Sequence, residues 1–177
     1  SGGLDSTLAL LVCNEAFNIL GYDKKNIYTL VLPAFGTSNR TYNNALKLTS
    51  YFGTTLKEIN IGDSVKKHLK DIEHDEQLKD VTYENAQARE RTQVLFDFAN
   101  KVGGIVIGTG DLSELCLGFA TYNGDHMSNY GLNGSIPKTL IQYIVRNYAK
   151  DNEGVKEVLL DILSTPISPE LLPTKDD

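Results

Sequence analysis

The first seven residues, Ser1-Gly2-Gly3-Leu4-Asp5-Ser6-Thr7, set two glycines and three hydroxyls directly ahead of an apolar helical pattern. Backbone N–H groups without intrahelical acceptors collect at such a helix mouth, and with the positive end of the macrodipole they favour an anion. A phosphate group suits that cradle. Charge-assisted hydrogen bonds contribute roughly 1.5 to 3 kcal/mol each against ~0.3 to 1 for the dipole, so converging amides would dominate the grip on a pyrophosphate. Asp5 belongs in an anion site when a cation intervenes, and an oxygen-ligated Mg²⁺ bridging carboxylate to phosphate is the usual solution. The heptapeptide alone is equally compatible with an ordinary Ser/Asp-capped helix behind a tight turn. It is not a Walker A loop. Gly103 to Gly108 has that motif's glycine spacing, but it continues with Thr109 where a Lys is required and encloses the apolar run Ile105-Val106-Ile107.

Further along the chain, Asn85 and Arg89 lie one helical turn apart, on a face distinct from the Leu95, Ala99, Val102 stripe. The ribose or phosphate of a dinucleotide is a suitable partner; the plain alternative is a solvated face with Arg89 paired to a neighbouring Glu. Thr109 follows an apolar strand directly, and Glu114 comes five residues later, a spacing that returns a carboxylate toward the strand end, although a helix-start carboxylate is the default reading. Phe119, Ala120, Thr121 and Tyr122 offer aromatic surface on which a flat ring could stack, though aromatics are more often core, and Asp125 after Gly124 falls in a turn. Lys138, beside Pro137 at a helix start, is poorly placed for the dipole, which suggests that an external anion holds it. His68, His74 and His126 have no metal-ligand spacing, and no nucleophilic triad is visible. Asn123-Gly124 and Asn133-Gly134 read as turns, as do the formal glycosylation sequons at Asn39 and Asn133.

The elements that must position these residues alternate. Helices are expected after Asp5 (Leu8, Leu11, Val12, Ala16, Ile19, Leu20), over Ala45 to Phe52, from about Ser64 to Ile72, over Ala86 to Val102, from about Lys138 to Tyr148 and from Val155 to Leu163. Strands are expected at Ile27 to Leu32, Thr55 to Ile61 and Ile105 to Ile107, with a charged, solvated excursion at His74 to Asp80. Short apolar strands alternating with amphipathic helices predict an α/β fold, a parallel sheet with helices on both faces and ligands at the strands' carboxyl ends. The 177 residues fit one domain, and 41% hydrophobic content can enclose a core. Seventeen Lys and Arg against 23 Asp and Glu give −6, which disfavours a nucleic-acid grip. Cys13 and Cys116, far apart, form no CxxC, and no segment reads as a membrane span or export signal, so the expected compartment is the reducing cytoplasm.

SGGLDST resembles the PP-loop of the ATP pyrophosphatases, whose members bind the β,γ-pyrophosphate of ATP there while transferring AMP to a substrate oxygen. Thr82-Tyr83-Glu84-Asn85-Ala86-Gln87-Ala88-Arg89-Glu90-Arg91, Gly108-Thr109-Gly110-Asp111-Leu112-Ser113-Glu114, Gly118 to Asp125 and Ser135-Ile136-Pro137-Lys138-Thr139 are similar, in order, to the signatures of the NAD⁺ synthetases. The version TYNGDHMSNYGLNGSIPKT is more similar to the synthetase domain of the glutamine-dependent enzymes. The resemblance implies an adenine nucleotide alpha hydrolase-like (PP-loop) fold and ATP-dependent amidation of deamido-NAD⁺ through an acyl-adenylate. It implies ATP contacts at Ser1 to Thr7, Thr109 and Lys138, with Asp5 and Lys138 catalytic. It places deamido-NAD⁺ against Asn85, Arg89, Glu114, Phe119 to Tyr122 and Asp125. Mg²⁺ would sit on Asp5, with Glu114 joining it or reaching the substrate, and Ser168 is a looser candidate for a late ATP contact. It further implies a homodimer or higher homo-oligomer, ammonia from an upstream glutaminase domain, and a chain that is the carboxyl-terminal part of a longer protein, without its leading strand. Another PP-loop ligase, of the GMP synthetase or tRNA-thiolating kind, and a catalytically silent nucleotide-binding module are the rivals.

Overall fold

The computed structural model describes residues 2–35, 38–75 and 77–166. Helix boundaries follow local capping chemistry. Helix α1 (Leu4–Leu20) opens behind Gly3 without a side-chain cap. A single 3-10 turn, Lys24–Asn26, leads into strand β1 (Tyr28–Val31). Helix α2 (Asn39–Phe52) starts where the Ser38 hydroxyl accepts from the Thr41 N–H and stops at Gly53, whose φ of 67° is the left-handed conformation glycine adopts without strain. Strand β2 (Thr55–Glu58) follows, then α3 (Gly62–Asp71). Helix α4 (Val81–Val102) begins five residues before the expected Ala86 because the Asp80 carboxylate accepts from the N–H groups of Thr82 and Tyr83. The remaining elements are β3 (Ile107–Gly108), α5 (Leu112–Leu117), β4 (Tyr130–Gly131), α6 (Lys138–Asp151) and α7 (Glu153–Ser164).

The α/β class and the parallel pairing are as expected, but among the described residues the strands form two pairs instead of one continuous sheet. Strand β1 runs parallel to β2 from Tyr28↔Thr55 to Val31↔Glu58, and β3 runs parallel to β4 through Ile107↔Tyr130 and Gly108↔Gly131. The third expected strand shifts from 105–107 to 107–108. Ile105 is exposed, and the Val106 N–H donates to the Asn129 side chain at 2.8 Å in place of a ladder partner. The expected excursion at His74 to Asp80 is pinned at both ends: the His74 ring, nearly buried, meets the Asp80 carboxylate at 3.0 Å. Leu78 within it is exposed.

Two apolar clusters carry the packing. The larger joins α1, α2, α6 and α7 through Leu8, Leu11, Leu48, Phe52, Ile141, Val145, Leu159 and Ile162, so the helix that begins at Asp5 and the helix that begins at Lys138 share one core. In α1, Val12, Ile19 and Leu20 of the expected stripe are exposed instead. The second cluster packs Leu32, Ile61, Val65, Leu69, Tyr83 and Ala86 where α3 and α4 meet the end of β1. Leu159 is fully buried in the larger cluster. Leu159→Ala is expected to lower unfolding free energy by about 2 to 5 kcal/mol through lost burial and residual cavity, read as a lower urea midpoint with an unchanged m-value.

Candidate active site

Three chain segments converge at the mouth of α1. The Gly3 carbonyl accepts from the Thr7 N–H at 3.0 Å and from the Ser6 and Thr7 hydroxyls at 3.0 and 2.7 Å, which closes the first turn tightly. Thr7, expected among the phosphate contacts, is fully buried: its hydroxyl braces the turn, and it is not among the residues that line the cleft. Gly2 is also buried, and a Cβ there would run into the backbone carbonyl of Thr41, so it allows the loop to lie against α2 and does not line the cleft. Ser1 and Ser168 lie outside the described residues. Gly3, Leu4, Asp5 and Ser6 face a cleft of about 560 Å³, together with Asn85, Thr109, Glu114, Lys138, Asp125 and the whole run Phe119 to Tyr122. A shallower cleft of about 330 Å³ between α2 and α7 is lined by polar side chains and crossed by the Arg40–Asp161 ion pair at 2.7 Å.

The external anion expected to hold Lys138 is replaced by three internal carboxylates. The ammonium lies 2.5 Å from Asp5 Oδ2, 2.8 Å from Asp111 Oδ2 and 2.9 Å from Glu114 Oε1. Burial works against the Lys138 charge, but the ion pairs with Asp111, Asp5 and Glu114 outweigh it and hold its pKa above the ordinary lysine value. Burial also raises the Asp5 carboxyl from 3.8 to about 6, against the lowering effect of Lys138 and with support from Glu114 and Asp111.

Asp111 and Asn133 hold the site together and are given no role by the motif reading. Asp111 is fully buried, accepts from the Glu114 N–H at 2.8 Å, and its own N–H donates to Glu114 Oε2 at 3.2 Å. This reciprocal capping box starts α5, and the D-x-x-E spacing of Asp111 and Glu114 is its sequence signal. Asn133 is fully buried as well, and its Nδ2 donates to the backbone carbonyls of Asp5 and Thr109, both at 3.0 Å. One amide thus fastens the α1 turn to the loop after β3. In the sequence it is marked only by its Asn-Gly turn, a formal sequon and its place in the run TYNGDHMSNYGLNGSIPKT, none of which points to this role.

The aromatic run is surface, not core: Phe119 and Tyr122 are 61% and 72% exposed on the cleft wall. Asp125 organises this wall by accepting from both the N–H and the hydroxyl of Thr121. Asn85 is buried and lines the cleft, whereas Arg89 is exposed outside it and its Nε donates to the Tyr122 carbonyl at 3.1 Å. The shared face expected of Asn85 and Arg89 is therefore divided, one residue on the cleft and the other bracing its aromatic wall.

Asp5, Asp111 and Glu114 each present a carboxylate oxygen within 4.8 Å of the others. Asp5 Oδ1 and Asp111 Oδ2 are buried and accept no aligned hydrogen bond, although the second has the ammonium beside it. An all-oxygen set of this kind fits a hard cation such as Mg²⁺.

A family model described as NAD synthase matches residues 1–165. The chain belongs to the NAD synthase family. Its whole length is 48% identical to the glutamine-dependent NAD(+) synthetase of Mycobacterium tuberculosis H37Rv and spans 27% of that relative. The NAD synthase fold is also seen in the glutamine-dependent NAD+ synthetase of Acinetobacter baumannii, solved with ADP, with a TM-score of 0.79, 24% identity and coverage of 95% of this chain and 31% of that one. The NMN synthetase of Francisella tularensis matches with a TM-score of 0.78 at 23% identity, covering 99% of this chain and 68% of that one. At these identities the two structures show the fold alone, and a fold shared by both does not choose between their substrates.

Two outcomes follow from this geometry. Asn133→Ala leaves the Asp5 and Thr109 carbonyls without their donor and should cost on the order of 1 to 3 kcal/mol, measured by chemical denaturation. The raised Asp5 pKa means that the folded chain holds this proton more tightly than the unfolded chain. Its contribution to stability is therefore present below 3.8 and lost as pH rises through about 6, while cation binding gains the carboxylate over the same interval. Divalent-cation affinity should fall as pH drops through that window, and Asp5→Asn should flatten this dependence in a calorimetric titration.

Proposed function

We propose that the protein performs ATP-dependent amidation of deamido-NAD⁺ to NAD⁺, releasing AMP and pyrophosphate. The observation that carries this reading is the 48% identity, over the whole chain, to an enzyme named as a glutamine-dependent NAD(+) synthetase. The cleft supports it chemically: the glycine-led mouth of α1, the Asp5 and Glu114 carboxylates and an exposed aromatic run all line one volume.

In the first step a nicotinate carboxylate oxygen attacks the α-phosphorus of ATP and pyrophosphate leaves. Ammonia then attacks the acyl carbon, and AMP departs with the oxygen that linked it. The amides at the start of α1 receive the pyrophosphate end, where the Lys138 ammonium lies close enough to oppose negative charge as it builds. Asp5 and Glu114, with Asp111 beside them, would hold Mg²⁺. When bound, the ion supplies charge neutralisation at phosphate oxygens and orients them. Thr109 would border ATP, while Phe119, Tyr122 and Asn85, which line the same cleft, would meet the nicotinate ring and its ribose. Asp125 and Arg89 keep that wall in place. Nothing in this chemistry requires a covalent enzyme intermediate, so placement and electrostatics carry it.

The reading extends to the assembly. Leu117 is 81% exposed, an apolar side chain that a second copy could cover, and with the family resemblance we place the protein as a homodimer or higher homo-oligomer. Ammonia is assigned to a glutaminase domain of the same protein, the compartment to the cytoplasm, and neither nucleic acid nor membrane is a partner. Among the described residues, no helix is long and apolar enough to cross a membrane.

The test is pyrophosphate release from ATP by the intact protein, with and without deamido-NAD⁺. Release that depends on deamido-NAD⁺, with equimolar AMP and NAD⁺, is expected. Release that depends instead on xanthosine monophosphate would assign a GMP synthetase-like ligase, and no release with any acceptor would leave a nucleotide-binding module. Asp5→Asn should slow deamido-NAD⁺-dependent release by on the order of 10² or more while the unfolding midpoint stays near that of the parent protein.

A further inference from the structure

Lys138 is held where a cation of the proposed reaction would have to go. Its ammonium touches all three carboxylates of the nest, and two of those, Asp5 and Glu114, are the ones assigned to Mg²⁺ above. One positive charge among three negative ones leaves the nest at −2, and Asp5 Oδ1 stays buried with no hydrogen-bond partner. A divalent ion would match that charge, but it cannot share Asp5 Oδ2 with an ammonium 2.5 Å away.

The three carboxylates differ in how they are fixed. Asp5 and Glu114 are partly open to the cleft, whereas Asp111 is fully buried, with Oδ1 committed to the Glu114 N–H and Oδ2 turned to Lys138. Lys138 itself begins α6, where its backbone N–H donates to the Ser113 hydroxyl at 3.1 Å, so the side chain is anchored at its root and already borders the cleft. We propose that Lys138 is the resident cation of the nucleotide-free nest and that divalent-cation binding is an exchange: the ammonium gives up Asp5 and Glu114 while Asp111, a positioning residue, retains it beside the phosphates. This rests on the reading of the cleft given above and adds to it the ion that must leave and the carboxylate that keeps hold of it. Asp111→Asn separates the two oxygens' tasks, because the amide oxygen can still accept from the Glu114 N–H while the charge facing Lys138 is gone.

The experiment is Mn²⁺ binding to the intact, nucleotide-free protein, followed by electron paramagnetic resonance, for the parent, Lys138→Gln, Asp111→Asn and the double variant. Removing the resident ammonium should tighten Mn²⁺ binding by about tenfold or more, and removing its tether in the presence of Lys138 should weaken it. In the Lys138→Gln background, Asp111→Asn should have a much smaller effect, since Asp111 acts through the lysine. Unchanged or weaker Mn²⁺ binding by Lys138→Gln overturns the exchange; an Asp111→Asn loss of equal size in both backgrounds overturns the tether and makes Asp111 a direct metal ligand. If the substituted proteins fail to fold, the ¹³Cε resonance of Lys138 in the unaltered protein decides: it should move on adding Mg²⁺, and an unmoved resonance overturns the proposal. Because none of these readouts uses substrate, failure of the exchange is distinguishable from failure of the amidation reading, which appears as absent pyrophosphate release.

Discussion

One ion cluster, buried on one side and open to the cleft on the other, organises this molecule. Asp5, Asp111 and Glu114 lie close enough that their charges would repel strongly without a cation among them, and Lys138 supplies it. The four residues come from the first turn of α1, the loop after β3 together with α5, and the first residue of α6. Their meeting brings chain segments separated by more than a hundred residues to one point. The apolar core beneath has the same logic, since Leu8 of α1 and Ile141 of α6 sit one turn below Asp5 and Lys138 in the same cluster. Packing sets the helices, and charge sets their tips.

Around this cluster, polar groups divide between holding the site and facing its ligands. Asn133, Thr7, Gly2 and Arg89 brace backbone or permit close approach. Asp5, Glu114, Lys138, Thr109 and the aromatic wall remain turned to the cleft. Exposed aromatic rings beside a cleft are costly to leave in water, and their exposure is what a stacking ligand or a second copy would relieve.

Much of this was legible in the sequence because it rests on local rules. The glycine-rich helix mouth, the carboxylate in it and the Lys at the start of α6 stand out by residue type and spacing, and the family signatures order them. Helix ends at Gly53 and Gly103 follow from C-cap chemistry alone. The rest depends on contacts between distant segments. Thr7 and Ser6 look alike beside a phosphate loop until the fold buries one of them. Asn133 reads as a turn because its two acceptors lie 128 and 24 residues away. Helix α5 and strand β4 are too short for periodicity to show, and Asp111 was concealed by the motif around it although its capping-box spacing was present.

Amidation by the proposed route requires that the nicotinate carboxylate be joined to AMP before ammonia arrives. The most direct measurement uses deamido-NAD⁺ labelled with ¹⁸O in that carboxylate, turned over with ATP and ammonia, and weighs the AMP by mass spectrometry. An acyl-adenylate requires one labelled oxygen to leave in AMP, because the attacking oxygen stays on phosphorus when the acyl carbon is aminated. AMP emerging without label would contradict adenylation at this carboxylate, and with it the role given to the cleft.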